Sequence, residues 1–102
     1  MNKQAMLRIK RLQQEMIQTQ KEIEETEFKA TSGPITLVML GKKEIKQIVI
    51  DKEFEFEDKD DYEMVEDAIV ALSRQLNTEI EEYTQEKMSK YTSMFGGMGG
   101  MF

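Results

Sequence analysis

Hydrophobic residues recur with two different spacings along the chain. Within residues 3–25, and again from about residue 60, they return every three or four positions, which is the spacing of one face of an α-helix. The intervening residues 33–51 are the only stretch rich in strand-forming residues, with two apolar runs of strand length separated by a glycine. The pattern predicts two helices with a β-hairpin between them.

The first helix is expected to extend from Lys3 to Glu25. Its packing positions are spaced alternately four and three residues apart, as in the seam of a coiled coil. These positions are Ala5, Ile9, Leu12, Met16, Thr19 and Ile23, and Met6 and Ile17 are expected to widen the stripe. The helix therefore has one face for packing against another part of the protein.

Three short strands are expected between the helices. The first covers residues 27–31 and ends at a turn at residues 32–34, and the second covers residues 35–40. A turn at residues 41–43 leads to the third strand, residues 44–50. Because such short connections join antiparallel strands, the sequence predicts an α+β fold of order α-β-β-β-α.

The second strand is apolar on both faces apart from Thr36. A helix layer covers only one face of a sheet, so Val38 and Leu40 need a different cover. A partner subunit is the simplest cover that the sequence offers.

The second helix is expected to begin at Asp60 or Asp61, because acidic residues in the first turn favour a helix N-terminus. Its apolar stripe is Val65, Ala68, Ile69, Leu72, Leu76, Ile80 and Tyr83, and the pattern continues to about Tyr91. Residues 51–63 before it are strongly acidic, and we expect a loop there that docks Phe54 and Phe56 on the core.

Residues 1–93 are expected to form a single domain, and residues 94–102 a flexible tail rich in glycine and methionine. The chain contains neither cysteine nor histidine, which removes the usual thiol nucleophile, the commonest general base and the commonest metal ligands. An EF-hand aligned on Asp51 would need a glycine where Phe56 stands. We therefore expect no enzyme, no catalytic residue, no metal site, no cofactor and no small-molecule substrate.

No run of about 18 apolar residues is present, so no membrane span is expected. The N-terminal residues are amphipathic and lack the features of a signal peptide, and the absence of cysteine favours the reducing cytoplasm.

Charge is distributed unevenly within a net charge of −6. Residues 1–21 hold five basic residues and one acidic residue, whereas residues 51–67 hold ten acidic and two basic residues. Helical spacing places Lys3, Lys10 and Lys21 on one side of the first helix, away from its packing seam. This helix is therefore expected to have a basic face that can meet an anion.

The helices are much longer than the strands, and their apolar seams must extend past the sheet. Helices of 23 and 31 residues are about 35 and 46 Å long, whereas strands of six or seven residues span only about 20–23 Å. A homodimer whose sheets join and whose helices pair would cover both seams. The candidate interface residues are Ile9, Leu12, Met16, Ile35, Leu37, Val38, Met39 and Leu40.

The whole chain resembles the YbaB/EbfC family of small bacterial nucleoid-associated proteins. The residues that carry the resemblance are Gly33-x-Ile35-x-Leu37-x-x-x-Gly41-x-Lys43-Glu44-Ile45, Ile48-x-Ile50, residues 63–67 (EMVED), residues 84–88 and the C-terminal MFGGMGGMF. The resemblance implies a tweezer-like homodimer that binds double-stranded DNA with little sequence preference and contributes to nucleoid organisation and gene regulation.

The resemblance also implies that the two terminal helices contact DNA. Carried over onto this sequence, the contacts are Lys3, Arg8, Lys10, Arg11, Lys21, Arg74, Lys87 and Lys90.

Two alternatives remain open. Two coiled-coil helices joined by a hairpin also describe prefoldin-type subunits, and the methionines and Phe95 and Phe102 suit adaptable contact with an unfolded protein. An assembly factor whose acidic face docks on a basic protein is the other alternative.

Overall fold

Five elements follow one another in the computed structural model, which describes residues 2–96. They are α1 (Lys3–Glu25), β1 (Glu27–Ser32), β2 (Ile35–Leu40), β3 (Ile45–Ile50) and α2 (Lys59–Gly96). The α-β-β-β-α order and the α+β class predicted from the sequence are confirmed.

Helix α1 has the single packing stripe that its spacing predicts. Asn2 caps the helix, because its side-chain oxygen accepts a hydrogen bond from the Ala5 amide at 2.7 Å. The seam positions are half-buried, and Ile23 is buried. The expectation that Met6 and Ile17 widen this stripe is wrong, since they are 59% and 62% exposed.

The three strands form one antiparallel sheet with β2 in the centre. Gly33 has a φ of 54° in the tight turn between β1 and β2, a backbone conformation that glycine adopts without steric cost. A β-bulge near Val38 and Met39 shifts the register between β2 and β3.

The core lies between α2 and one face of the sheet. On that face Ile35, Leu37 and Met39 of β2 pack against the stripe of α2, in which Leu76 and Ile80 are essentially fully buried. Burial of such side chains is worth roughly 1.5–3 kcal/mol each, so this layer supplies most of the stability of the fold.

Helix α2 begins at Lys59, one residue before its predicted start. Asp58 caps it by accepting a hydrogen bond from the Asp60 amide, while Asp61 accepts bonds from the amides of Glu57 and Asp58. The helix continues past Tyr91 to Gly96, so residues 94–96 of the expected tail are helical. Residues 97–102 of that tail lie outside the described residues.

The acidic residues 51–58 form the loop that the sequence predicts. Phe54 packs against the core cluster as expected. Phe56 does not dock there, because its ring stacks on Tyr62 with the centroids 4.6 Å apart and remains 37% exposed.

The molecule is elongated, with extents of 71 × 22 × 14 Å. The sheet and the first half of α2 occupy one part, and α1 packs along the second half of α2 beyond the sheet. The acidic loop starts at the far end of the sheet, where the Asp51 amide donates to the Pro34 carbonyl. The first helix and the acidic loop therefore lie toward opposite ends of the protein.

Within residues 2–96 no helix combines the length and the apolar character needed to span a bilayer.

Replacing Leu76 by Ala is expected to destabilise the fold by about 2–5 kcal/mol, because the side chain is fully buried and its removal leaves a cavity. Leu7→Ala is the matched control, since Leu7 is 54% exposed and its change is expected to cost within about 0.5 kcal/mol. Urea unfolding at one protein concentration measures both values. Equal losses of stability would contradict the assigned core.

Candidate nucleic-acid interface

The second half of α2 and all of α1 form a two-helix projection, which we call the arm (residues 3–25 and 80–96). Ile23, Tyr91 and Phe95 are buried in it. The Thr19 hydroxyl and the Tyr91 hydroxyl lie 3.2 Å apart and hydrogen-bond across the two helices. The arm is therefore a packed unit that presents its other side chains to solvent.

A close backbone contact attaches α1 to the sheet. The Gly41 amide donates to the Thr26 carbonyl at 2.9 Å, and a Cβ atom at Gly41 would lie 1.8 Å from the Ile23 carbonyl oxygen. No larger residue fits at Gly41 without moving the end of α1. This contact therefore fixes where α1 leaves the body.

An ion pair joins the same turn to α2. The Lys43 ammonium donates a hydrogen bond to Glu81 Oε1 at 2.8 Å, and Lys43 reaches this position with a φ of 66°. The hydrogen bond and the charge of Lys43 lower the pKa of the Glu81 carboxyl below its ordinary value of 4.5.

All eight basic residues expected to contact DNA are solvent-exposed. Seven of them lie on the arm: Lys3, Arg8, Lys10, Arg11, Lys21, Lys87 and Lys90. Arg74 lies apart from them, on the part of α2 that runs over the sheet. The fold thus collects basic side chains from both ends of the sequence on one projection.

One shallow groove of the arm brings cations of both helices together. Arg11 of α1 and Lys90 of α2 line it, with Gln14 and Gln18 as further polar groups. Glu15 and Glu22 also border this groove, so its potential is mixed. Side chains of this kind suit hydrogen bonds and ion pairs with phosphate oxygens.

Two tyrosines support the lysines of α2. The Lys90 ammonium lies 4.9 Å from the centre of the Tyr91 ring, and the Lys87 ammonium 5.5 Å from that of Tyr83. Sequence reasoning missed this arrangement, although the four-residue spacing of Tyr83 and Lys87 is recognisable on a helix; the adjacent Lys90 and Tyr91 give no such signal.

The basic side of α1 also carries aliphatic side chains. Met6 and Ile17 share that side with Lys3, Lys10 and Lys21, and Leu7 borders it. All three apolar side chains are more than half exposed. The surface is therefore basic and apolar together.

The candidate dimer-interface residues occupy three different environments. Ile35, Leu37 and Met39 lie in the protomer's own core, where α2 covers them. Val38 and Leu40 point to the other face of the sheet, where Val38 is buried and Leu40 half-buried. The residues Ile9, Leu12 and Met16 lie half-buried along the seam of α1.

Strand β3 is the apolar surface that sequence reasoning missed. Its residues are all exposed, and the apolar ones, Ile45, Ile48, Val49 and Ile50, are 37–50% exposed at the edge of the sheet. The apolar content of the strand was visible in the sequence, but its position at an uncovered edge was not.

No cluster of carboxylates within residues 2–96 has the arrangement needed to hold a metal ion. The chemistry that the arm offers is electrostatic, with exposed cations, amides and hydroxyls on a rigid support.

The comparisons with known proteins point to one family. The model of the YbaB/EbfC DNA-binding family matches residues 1–95. The chain is 41% identical to a nucleoid-associated protein of Lachnospira eligens over 79% of this chain and 70% of the relative. Nucleoid-associated proteins of Ruminiclostridium cellulolyticum (35% identity, 95% and 84% coverage) and Dictyoglomus turgidum (34% identity, 97% and 95% coverage) are also similar.

Replacing Glu81 by Gln is expected to lower the Tm near neutral pH, because it removes the charge that pairs with Lys43. The pKa of Glu81 is depressed in the folded protein, so the stabilisation is present above 4.5 and is lost as the pH falls through the lower folded value. The difference in Tm between the two proteins should therefore shrink below pH 4.5. Glu82→Gln is the control, because Glu82 forms no ion pair within residues 2–96; an equal effect there would contradict the assignment.

Proposed function

We propose that this chain, which belongs to the YbaB/EbfC DNA-binding family, is a nucleoid-associated protein that binds double-stranded DNA through the arm. The observation that carries this proposal is the collection of seven exposed cations from both terminal helices on one projection. The acidic loop lies toward the other end of the molecule, so its electrostatic repulsion of DNA is weakest at the arm.

Binding would rest on the DNA backbone. Lysine and arginine side chains neutralise phosphates and release counterions, which gives affinity without reading base edges. The long side chains of Lys3, Lys10 and Lys21 follow one side of α1 along a length of about 27 Å, given a rise of 1.5 Å per residue. A row of this length spans several phosphates. We therefore expect little sequence preference and a strong dependence on salt.

The proposed functional unit is a homodimer. Edge strand β3 exposes four apolar side chains, and exposed apolar edge strands pair with or pack on another chain. Leu40, half-buried on the adjoining outer face beside the buried Val38, would extend this seam. Ile35, Leu37 and Met39 have no part in it, because α2 already covers them.

A dimer joined through the sheets would leave both arms free. Two arms would let one protein hold two DNA segments or two positions on one duplex, and so bend or bridge DNA. This is the basis on which we propose roles in nucleoid organisation and gene regulation, with a location in the bacterial cytoplasm at the nucleoid. The proposal includes no catalytic step, cofactor, membrane or small-molecule substrate.

The prefoldin-like alternative has less to recommend it. It depends on apolar side chains near the C-terminus being free to hold a client, whereas Phe95 is buried in the arm. Suppression of client aggregation without any DNA binding would support it.

Changing Lys10 and Arg11 together to Glu is expected to weaken DNA binding strongly and to flatten its dependence on salt. Each lost phosphate contact should reduce the slope of log K against log salt by about 0.9. Fluorescence anisotropy with a labelled duplex across salt concentrations measures both. Lys29→Glu with Lys52→Glu changes the net charge equally at exposed sites outside the arm and should retain the wild-type slope. An unaltered affinity of the Lys10/Arg11 variant at low salt would disprove the proposed surface.

Replacing Ile48 by Lys is expected to convert the homodimer into a monomer, because it places a charge in the apolar seam. Light scattering should then give the chain mass of 11.9 kDa instead of twice that value. Ile17→Lys, at an exposed isoleucine on the arm, should remain dimeric. A stable monomer of the unaltered protein at micromolar concentration would refute the dimer.

A further inference from the structure

Opposite charges lie at opposite ends of this elongated protein. The first 21 residues carry a net charge of +4, and residues 51–67 carry −8. The first helix leaves the sheet at the Gly41 end, whereas the acidic segment begins at the Pro34 end. With the molecule 71 Å long, the two regions cannot meet within one chain in this fold.

The acidic end also has an apolar surface. Phe54, Phe56 and Tyr62 form a continuous aromatic group, with ring centroids 4.9 and 4.6 Å apart. Tyr62 is 59% exposed, so part of this group faces solvent within the acidic segment. We call this surface the aromatic cap (residues 53–62).

The outer side of α1 has the complementary character. Lysines alternate there with the exposed side chains of Met6 and Ile17. Methionine and isoleucine pack well on aromatic rings, and the lysines would pair with the glutamates around the cap. The two surfaces therefore match in charge and in apolar content at the same time.

We propose that the aromatic cap of one molecule docks on the basic and apolar side of α1 of a second copy. Such a contact joins two different surfaces, so it does not close on itself and would link molecules into a chain. It is separate from the seam at β3. The contact uses α1 residues that the proposed function assigns to DNA. A neighbouring copy and DNA would therefore compete for the same face of α1, and this competition rests on the proposed function.

Phosphate contact alone gives no reason for aliphatic side chains among the lysines. Binding to a membrane surface would explain the aliphatic side chains, but it would involve neither the aromatic cap nor the glutamates around it. A second copy accounts for both surfaces with residues of this chain only.

The test is the mass of the DNA-free protein at two salt concentrations. At an ionic strength of about 0.01 M the Debye length is ~30 Å, and at about 1 M it is ~3 Å. Sedimentation velocity should give a weight-average mass at low salt at least roughly two-fold above that at high salt. Equal masses at the two salt concentrations would overturn the proposal.

Charge reversal locates the contact. Glu53→Lys with Glu55→Lys should abolish the rise in mass, as should Lys10→Glu with Lys21→Glu, both on the basic and apolar side of α1. The protein with all four changes should regain the rise, because the attraction is restored with the signs exchanged. Glu79→Lys with Glu82→Lys, on the exposed side of α2, is the matched control and should keep the rise. Circular dichroism confirms that each variant is folded.

Two results would contradict the docking. One is a rise in the Glu53/Glu55 variant equal to that of the unaltered protein, and the other is a folded four-change protein that stays at its high-salt mass. DNA binding gives a separate readout, because the Glu53/Glu55 variant should still bind a duplex. If no version of the protein bound DNA while the mass changes followed this pattern, the proposed function would fail and the docking would stand.

Discussion

The packing of α2 on the sheet governs the rest of the structure, because the helix is far longer than the strands it covers. A helix of 38 residues is about 57 Å long, whereas six-residue strands span about 20 Å. The half of α2 that extends past the sheet needs another partner, and α1 provides it, with Ile23 of α1 and Tyr91 of α2 buried and Thr19 bonded to Tyr91. The arm is the consequence, and Gly41 and the Lys43–Glu81 pair hold its base in place. The width of the sheet also matters, because one helix cannot cover three strands and β3 is therefore left uncovered.

Separation of charge follows from the same geometry. The two helices run antiparallel along the arm, so Arg11 of α1 and Lys90 of α2 line one groove although they are far apart in sequence. The acidic residues fall on the connection at the other end, where they also cap α2. A protein with a net charge of −6 can in this way present a basic surface to a polyanion. The same separation leaves an acidic surface that attracts the basic residues of other copies, and this attraction is the basis of the proposed docking.

Much of the fold was predictable from the sequence. Periodicity gave both bounds of α1 and of β2, and the stripe of α2 from Val65 to Ile80 is the core that was expected.

The errors have physical reasons. Spacing alone cannot say whether Met6 and Ile17 meet a second helix, and a single helix partner covers only the narrow seam. Phe56 was expected in the core, but its neighbour Tyr62 offers a ring to stack on. Alternation in β2 does not tell which face the chain covers itself, so Ile35, Leu37 and Met39 were grouped with Val38 and Leu40. The exposure of the lysine and arginine side chains was predictable from their charge, whereas only the structure shows that Arg11 and Lys90 line one groove.

Whether DNA lies along the arm is tested most directly by labelling lysines chemically in the presence and absence of a DNA duplex and quantifying each site by mass spectrometry. Bound DNA should protect the arm lysines Lys3, Lys10, Lys21, Lys87 and Lys90 and leave the labelling of Lys29, Lys52 and Lys59 unchanged. Protection of the lysines on the sheet and the acidic loop, with the arm lysines unchanged, would contradict binding along the arm.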